Sequence, residues 1–108
     1  MLINEILNED RRSERGKCLP ETGYKEKYVV IYRAVVTTEM MLHSMDYVTR
    51  NQNWAIGHAQ HVAVVEGENA HVLRVMVLAK DVYEAHNPGE YFYDGPEIKG
   101  RIIFVAEA

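Results

Sequence analysis

Cysteine is nearly absent. Cys18 stands alone, so an internal disulfide is excluded, and no Cys/His grouping has the spacing of a zinc site. A surplus of positive charge is also missing. Twelve basic residues face sixteen acidic ones, for a net charge of −4, which leaves no electrostatic footprint for a nucleic-acid binder. Long hydrophobic runs are lacking too: stretches such as Val75 to Ala79 are far too short to span a bilayer. The opening Met1-Leu2-Ile3-Asn4-Glu5 does not have the basic and apolar regions of a signal peptide, so the chain is expected to act in the cytoplasm, away from membranes. No internal repeat or low-complexity tract is present.

What remains is ordinary globular material. The chain has 108 residues, 47% hydrophobic and 26% charged, enough to bury one core and too short for two. Leu2, Ile3, Ile6 and Leu7 recur at helical spacing and predict a short amphipathic helix from Leu2 to about Ser13. From Glu14 to Lys27 the composition turns polar, with Gly16, Pro20 and Gly23 as breakers, which predicts a loop or mobile arm. Residues 1–27 are therefore expected as an N-terminal helix and arm, and residues 28–108 as the α+β domain, in one globular unit overall.

Tyr28 to Val36 is rich in β-branched and aromatic residues, which suit a pleated, buried surface, and predicts the first strand. Thr37 or Thr38 is expected to cap a short helical turn through Glu39 to Leu42. Asp46 to Thr49 reads as a short strand. A helix capped by Asn51 or Thr49 should follow from Gln52 to His61, with Trp54, Ala55, His58 and Ala59 on one face, from which Trp54 should pack its indole against the sheet. His61 to Glu66 is a candidate strand, and His71 to Ala79, apolar on both faces, reads as a central one. Asn87-Pro88-Gly89 is a turn signal, followed by Glu90 to Tyr93, a second turn at Asp94 to Pro96, and a last strand from Arg101 to Val105. Short helices and turn-linked strands predict a mainly antiparallel α+β sheet rather than a doubly wound parallel one.

Three polar residues stand at the ends of these strands. Arg33 lies in an otherwise apolar strand, where an arginine needs a partner: either a salt bridge to Asp46 or Glu90, or a bound phosphate or carboxylate. Thr49 ends the second strand and suits an N-cap as well as a site hydroxyl. Glu90 opens a later strand after a turn, and the three could converge on one cleft. Tyr47, Tyr91 and Tyr93 flank that position, either as stacking platforms for a flat ring or as ordinary strand residues. His58 and His61 lie three apart on the predicted helix without an evident third ligand, so no metal is expected.

Tyr32-Arg33-Ala34-Val35, Asp46-Tyr47-Val48-Thr49, Ala55 with His58-Ala59, Val77 to Tyr83, and Asn87 to Asp94 with Glu90 inside resemble, in their order and spacing, small phage-associated proteins with the ADP-ribosyltransferase fold. The resemblance runs from about Tyr28 to Val105. It implies a split or bent antiparallel sheet with one or two short helices, and NAD as substrate. Arg33 would hold the phosphate or ribose, with Thr49, Tyr47 and Tyr93 completing the NAD site, while Glu90, supported by Thr49, would do the chemistry. It also implies a target in a host cell, reached by transfer of ADP-ribose to a host macromolecule. Two further roles fit the same resemblance: an inactive module that inhibits a host defence protein, or a small virion component. Pro88 stands two residues before Glu90, where arginine-modifying members carry an acid or glutamine, which argues against arginine as the acceptor.

Overall fold

The computed structural model describes residues 15–108. The helix expected from Leu2 to Ser13 lies outside the described residues. Strand β1 (Tyr28–Val36) is the long β-branched run, and β4 (Ala70–Leu78) pairs with it antiparallel along all nine positions, from Tyr28 opposite Leu78 to Val36 opposite Ala70. Between them come β2 (Met41–Leu42), β3 (Asp46–Thr49) and helix α1 (Gln52–His61). After β4 follow β5 (Val82–Glu84), β6 (Glu90–Tyr93), β7 (Ile98–Lys99) and β8 (Arg101–Ala106). Six strands form one sheet in the order β5-β6-β3-β1-β4-β8, and β2 with β7 makes a separate two-stranded ribbon. Every pairing is antiparallel, so the architecture is α+β with a mainly antiparallel sheet and one α-helix among the described residues.

Alternation along β1 and β4 divides the interior. Val29 and Ile31 of β1 join Leu73, Val75 and Val77 of β4 on one face, covered by Leu19, Leu42, Val82 and Tyr93. On the other face Tyr32, Ala34, Ala70 and Val72 meet α1. The helix is seated by Ala55, Ala59 and Ala63, one turn apart and almost fully buried. Three alanines in a row bring the helix backbone close to the sheet. Asn51 caps this helix as expected, its side chain accepting from the backbone N–H groups of Asn53 and Trp54, an arrangement that stabilises a helix by about 1 kcal/mol.

Four expectations are corrected. The stretch from Arg15 to Lys27 is fastened rather than mobile. Gly16 N–H donates to Glu84 O at 2.6 Å, Cys18 bridges to Tyr83, and Leu19 is buried at the head of a short 3-10 turn, Leu19–Thr22. Thr37 to Leu42 is not a helical turn, because Met41 and Leu42 find strand partners in Lys99 and Ile98. The fully buried His71 holds this segment down: its Nε2–H donates to the Glu39 carbonyl at 2.6 Å. His61 to Glu66 is not a strand either. Val62–Glu66 prolongs the helix as a π-turn that keeps Ala63 in the buried alanine row, and Gly67 ends it at φ +67°. Finally, Trp54 does not pack against the sheet; it is 54% exposed.

Candidate functional site

The two halves of the sheet meet at one point. β1 and β3 pair only through Tyr32 opposite Thr49, and Thr49 in turn lies opposite Glu90 on β6. Tyr32, Thr49 and Glu90 thus form a row across three strands, with side chains on the face that α1 covers. Trp54, Ala55 and His58 of the helix stand over this row. Together with Arg33, Tyr47 and Val48 they enclose a cleft of roughly 450 Å³. Arg33, Thr49 and Glu90 therefore line one cleft, although Arg33 lies inside β1 rather than at its end.

Each of the three already has a partner within the protein. Arg33 Nη1–H donates to the Tyr47 carbonyl at 2.6 Å, and its Nε lies 3.6 Å from the Asp46 carboxylate. By alternation Arg33 belongs to the opposite face, with Ile31 and Val35. It enters the cleft wall because β1 and β3 diverge beyond Tyr32, and its guanidinium spans the gap. The salt-bridge alternative to Asp46 is the one realised. These two contacts leave several of its five N–H donors for other use. Thr49 Oγ1 donates to Gly89 O at 3.3 Å and accepts from the backbone N–H of Asn51 at 3.1 Å, tying β3, the turn before β6 and the start of α1 together. Glu90 is exposed, and its carboxylate accepts from Asn87 Nδ2 at 3.2 Å.

The tyrosines separate by strand parity. Tyr47 lines the cleft, its ring 4.5 Å from that of Phe92. Tyr93 does not. It is 2% exposed in the core on the other face, with its hydroxyl donating to Pro96 O, so it is withdrawn from the expected NAD-binding set. Burial and the nearby Asp81 and Asp94 carboxylates push its phenol above the usual tyrosine range.

Trp54, Tyr32 and His58 complete the cleft and were not recognised as site residues from the chain. Only the register that sets Tyr32 beside Thr49 could have revealed the first. Trp54 had a local signal, since it follows the cap residue by three and precedes the first buried alanine. Its ring rests on Gly89, where a Cβ would come 2.1 Å from Cζ3, and Gly89 adopts φ +84°. Glycine is required there on both counts.

Beyond Trp54 lies a second, more open groove of roughly 700 Å³, bounded by Tyr24, Val29, Val30, Arg50, Asn51, Gly89 and Tyr91 and sharing Thr49 and Trp54 with the first. The Arg50 guanidinium lies 4.8 Å from the Tyr24 ring centre and 5.9 Å from that of Tyr91. Among the described residues no cluster of three or more His, Cys, Asp or Glu side chains is arranged to hold a metal, and no helix is long and apolar enough to cross a membrane. No family model matches the chain, and neither a curated protein nor a solved structure does.

Proposed function

We propose that the cleft between β1, β3 and α1 binds NAD, and that the protein is an ADP-ribosyltransferase of the small phage-associated kind acting on a host macromolecule. The observation that carries this reading is the convergence of Arg33, Thr49 and Glu90, from three different strands, on one concavity walled by Tyr32, Tyr47 and Trp54. Aromatic faces suit the flat nicotinamide or adenine ring. The remaining guanidinium donors of Arg33 suit a phosphate.

The reaction asks for little more. The C–N bond between ribose and nicotinamide breaks, the electron pair leaves with nicotinamide, and positive charge develops at the ribose carbon. Glu90, as carboxylate, stabilises that charge across the cleft. An acceptor nucleophile then forms the new bond and releases its proton. Thr49 does not touch the reacting atoms in this scheme; it holds the Gly89 turn that presents Glu90.

A titration of the protein with NAD, run beside an assay for released nicotinamide, tests the proposal. Glu90→Gln keeps the shape and removes the charge, so NAD binding should persist while turnover falls about 100-fold or more. Absence of NAD binding in the wild type overturns the reading. A second reading rests on a specific observation: Arg33, Thr49 and Glu90 are each hydrogen-bonded internally, so their placement also serves structure alone. The protein is then a binding module of the same fold that occupies a host protein without turnover. In that case wild type and Glu90→Gln capture the same host protein equally and neither releases nicotinamide.

A further inference from the structure

Among the described residues, β1 is an interior strand with an open edge over its first half. It runs nine residues beside β4, yet on its other side β3 reaches it only at Tyr32. The residues from Tyr28 to Ile31 pass beyond the end of β3, where the chain turns away at Arg50 and Asn51 into α1. In an antiparallel strand the N–H and C=O of each residue point to one side, and successive residues alternate. Three bonds settle which side is which. Lys27 O and Thr37 N–H, at odd positions, both pair with the chain flanking β4, through Ala79 N–H and Asn69 O. Tyr28 O, at an even position, accepts from the Tyr24 hydroxyl on the groove side. Val30 therefore directs both its N–H and its C=O into the 700 Å³ groove, which it lines.

One cation, Arg50, lines this groove, and a second, Lys27, stands just before the start of β1. Arg50 is held between the rings of Tyr24 and Tyr91, and Lys27 Nζ lies 5.6 Å from the centre of the Tyr28 ring. Neither cation has a carboxylate within ion-pair distance among the described residues, in a chain whose net charge is −4. Exposed apolar surface adjoins the site at Tyr28, Trp54 and Met76, each at least half exposed. A backbone donor and acceptor side by side on a strand edge ask for another strand. Unneutralised cations beside it ask for acidic side chains.

We infer that this groove is a docking site for an extended acidic polypeptide segment, which adds a short strand to the open edge of β1. Backbone bonds to Val30 N–H and C=O hold the segment in register. At about 3.3 Å per residue, Tyr28 to Ile31 runs roughly 13 Å along the groove, the length of a segment of about four residues paired through Val30, since the Tyr28 carbonyl is already held by the Tyr24 hydroxyl. A carboxylate of the segment meets Arg50, whose guanidinium is already oriented by the two tyrosine rings and loses little freedom on binding. The groove adjoins the nucleotide cleft through Thr49 and Trp54, but Val30, Arg50 and Tyr91 lie outside the cleft that contains Glu90.

The test is a titration of the isotopically labelled full chain with Ac-Glu-Val-Glu-Val-Glu-NH2, followed through the backbone amides without NAD. Val30 and Arg50 should shift first, and the Val30 amide should gain protection from hydrogen exchange. The same peptide with lysine for glutamate, and one with alternate backbone N-methylation, should each bind at least about tenfold more weakly, because one loses the charge match and the other the donor groups. Arg50→Glu should reverse the preference between acidic and basic peptides while leaving the melting temperature in place. Shifts that avoid Val30 overturn the inference, as does equal binding of the N-methylated peptide. A single-stranded oligonucleotide that shifts Val30 and Arg50 when the peptides do not would replace the peptide by a nucleic acid.

Discussion

The halves of the sheet on either side of Tyr32 are built differently. On one side β1, β4 and β8 are strands of six to nine largely apolar residues, and β1 and β4 remain paired along their whole length. On the other, β3, β6 and β5 have three or four residues each, and their positions depend on turns and polar side chains: Thr49 on Gly89, Arg33 on Tyr47, Glu84 on Gly16 and Lys17. One cross-strand pair joins the halves. Burial of apolar surface makes the first half stable, and directional hydrogen bonds make the second half specific in shape. Both clefts open along the joint, where the backbone of one half is left without a continuous partner from the other.

The strongest challenge to this division is Ile31→Ala. Ile31 is fully buried at the centre of the long half, and its truncation should lower stability by about 2–5 kcal/mol, measured by urea unfolding. A loss much below that range would mean that the core beside β1 is not the main source of stability.

Arg33→Met sharpens the contrast by keeping much of the side-chain volume while removing the guanidinium that spans the gap. It leaves the Tyr47 carbonyl and Asp46 without their cation, at a cost of about 1–3 kcal/mol. Amide exchange should accelerate in β3 and β6 and stay nearly unchanged in β4 and β8. Uniform acceleration would show that the halves open together.

Trp54→Ala should do less to stability than its size suggests, a change within about 1 kcal/mol, because the indole stands largely outside the alanine row that seats the helix. Its effect belongs to the clefts. Indole fluorescence in the wild type should change when NAD or the acidic peptide binds, and a signal blind to both ligands would remove Trp54 from either site.

The smallest expected effect concerns the β2–β7 ribbon. His43 lies between two carboxylates, with Nδ1 at 2.8 Å from Glu97 and Nε2 at 3.4 Å from Glu39. The hydrogen bond to Glu97, with help from Glu39, raises the His43 pKa above its ordinary value of 6.5. The Met41 backbone N–H, followed by His43, holds Glu39 below its ordinary 4.5. A histidine with a raised pKa stabilises the fold fully below 6.5 and loses that contribution as pH rises through the elevated value. A carboxylate with a lowered pKa contributes fully above 4.5 and loses it as pH falls through the depressed value. The two contributions overlap fully from pH 4.5 to 6.5. The difference in urea midpoint between wild type and His43→Gln should therefore be largest in that window and shrink at higher pH. A flat difference would show that the ribbon is indifferent to the His43 charge.

Particular residues show how far the chain could be read without its fold. Tyr28 to Val36 and His71 to Ala79 announce strands because their β-branched and other apolar residues suit a buried pleat, and Asn51 announces a helix start because its side chain replaces the missing acceptors of a first turn. These are local preferences, carried by each segment alone. Arg33, Thr49 and Glu90 could be selected as polar residues in or beside apolar strands, and their common cleft follows from the pairing of β1, β3 and β6 around Tyr32 and Thr49. Asp46–Thr49 and Glu90–Tyr93 were legible although short, whereas two other short segments were decided elsewhere. Met41–Leu42 is a strand because Ile98–Lys99 lies beside it, and Val62–Glu66 is a helical turn because Ala63 extends a buried row begun at Ala55. Tyr47 and Tyr93 differ only by the parity of the strand that carries them, which places one in the cleft and the other in the core. Local sequence determined which stretches would be strand or helix wherever the run was long enough for its own preferences to dominate. The register of β3 on β1, the open edge at Val30 and the exposure of Trp54 were decided by tertiary structure, because each depends on how closely two distant segments approach, and no single segment encodes that distance.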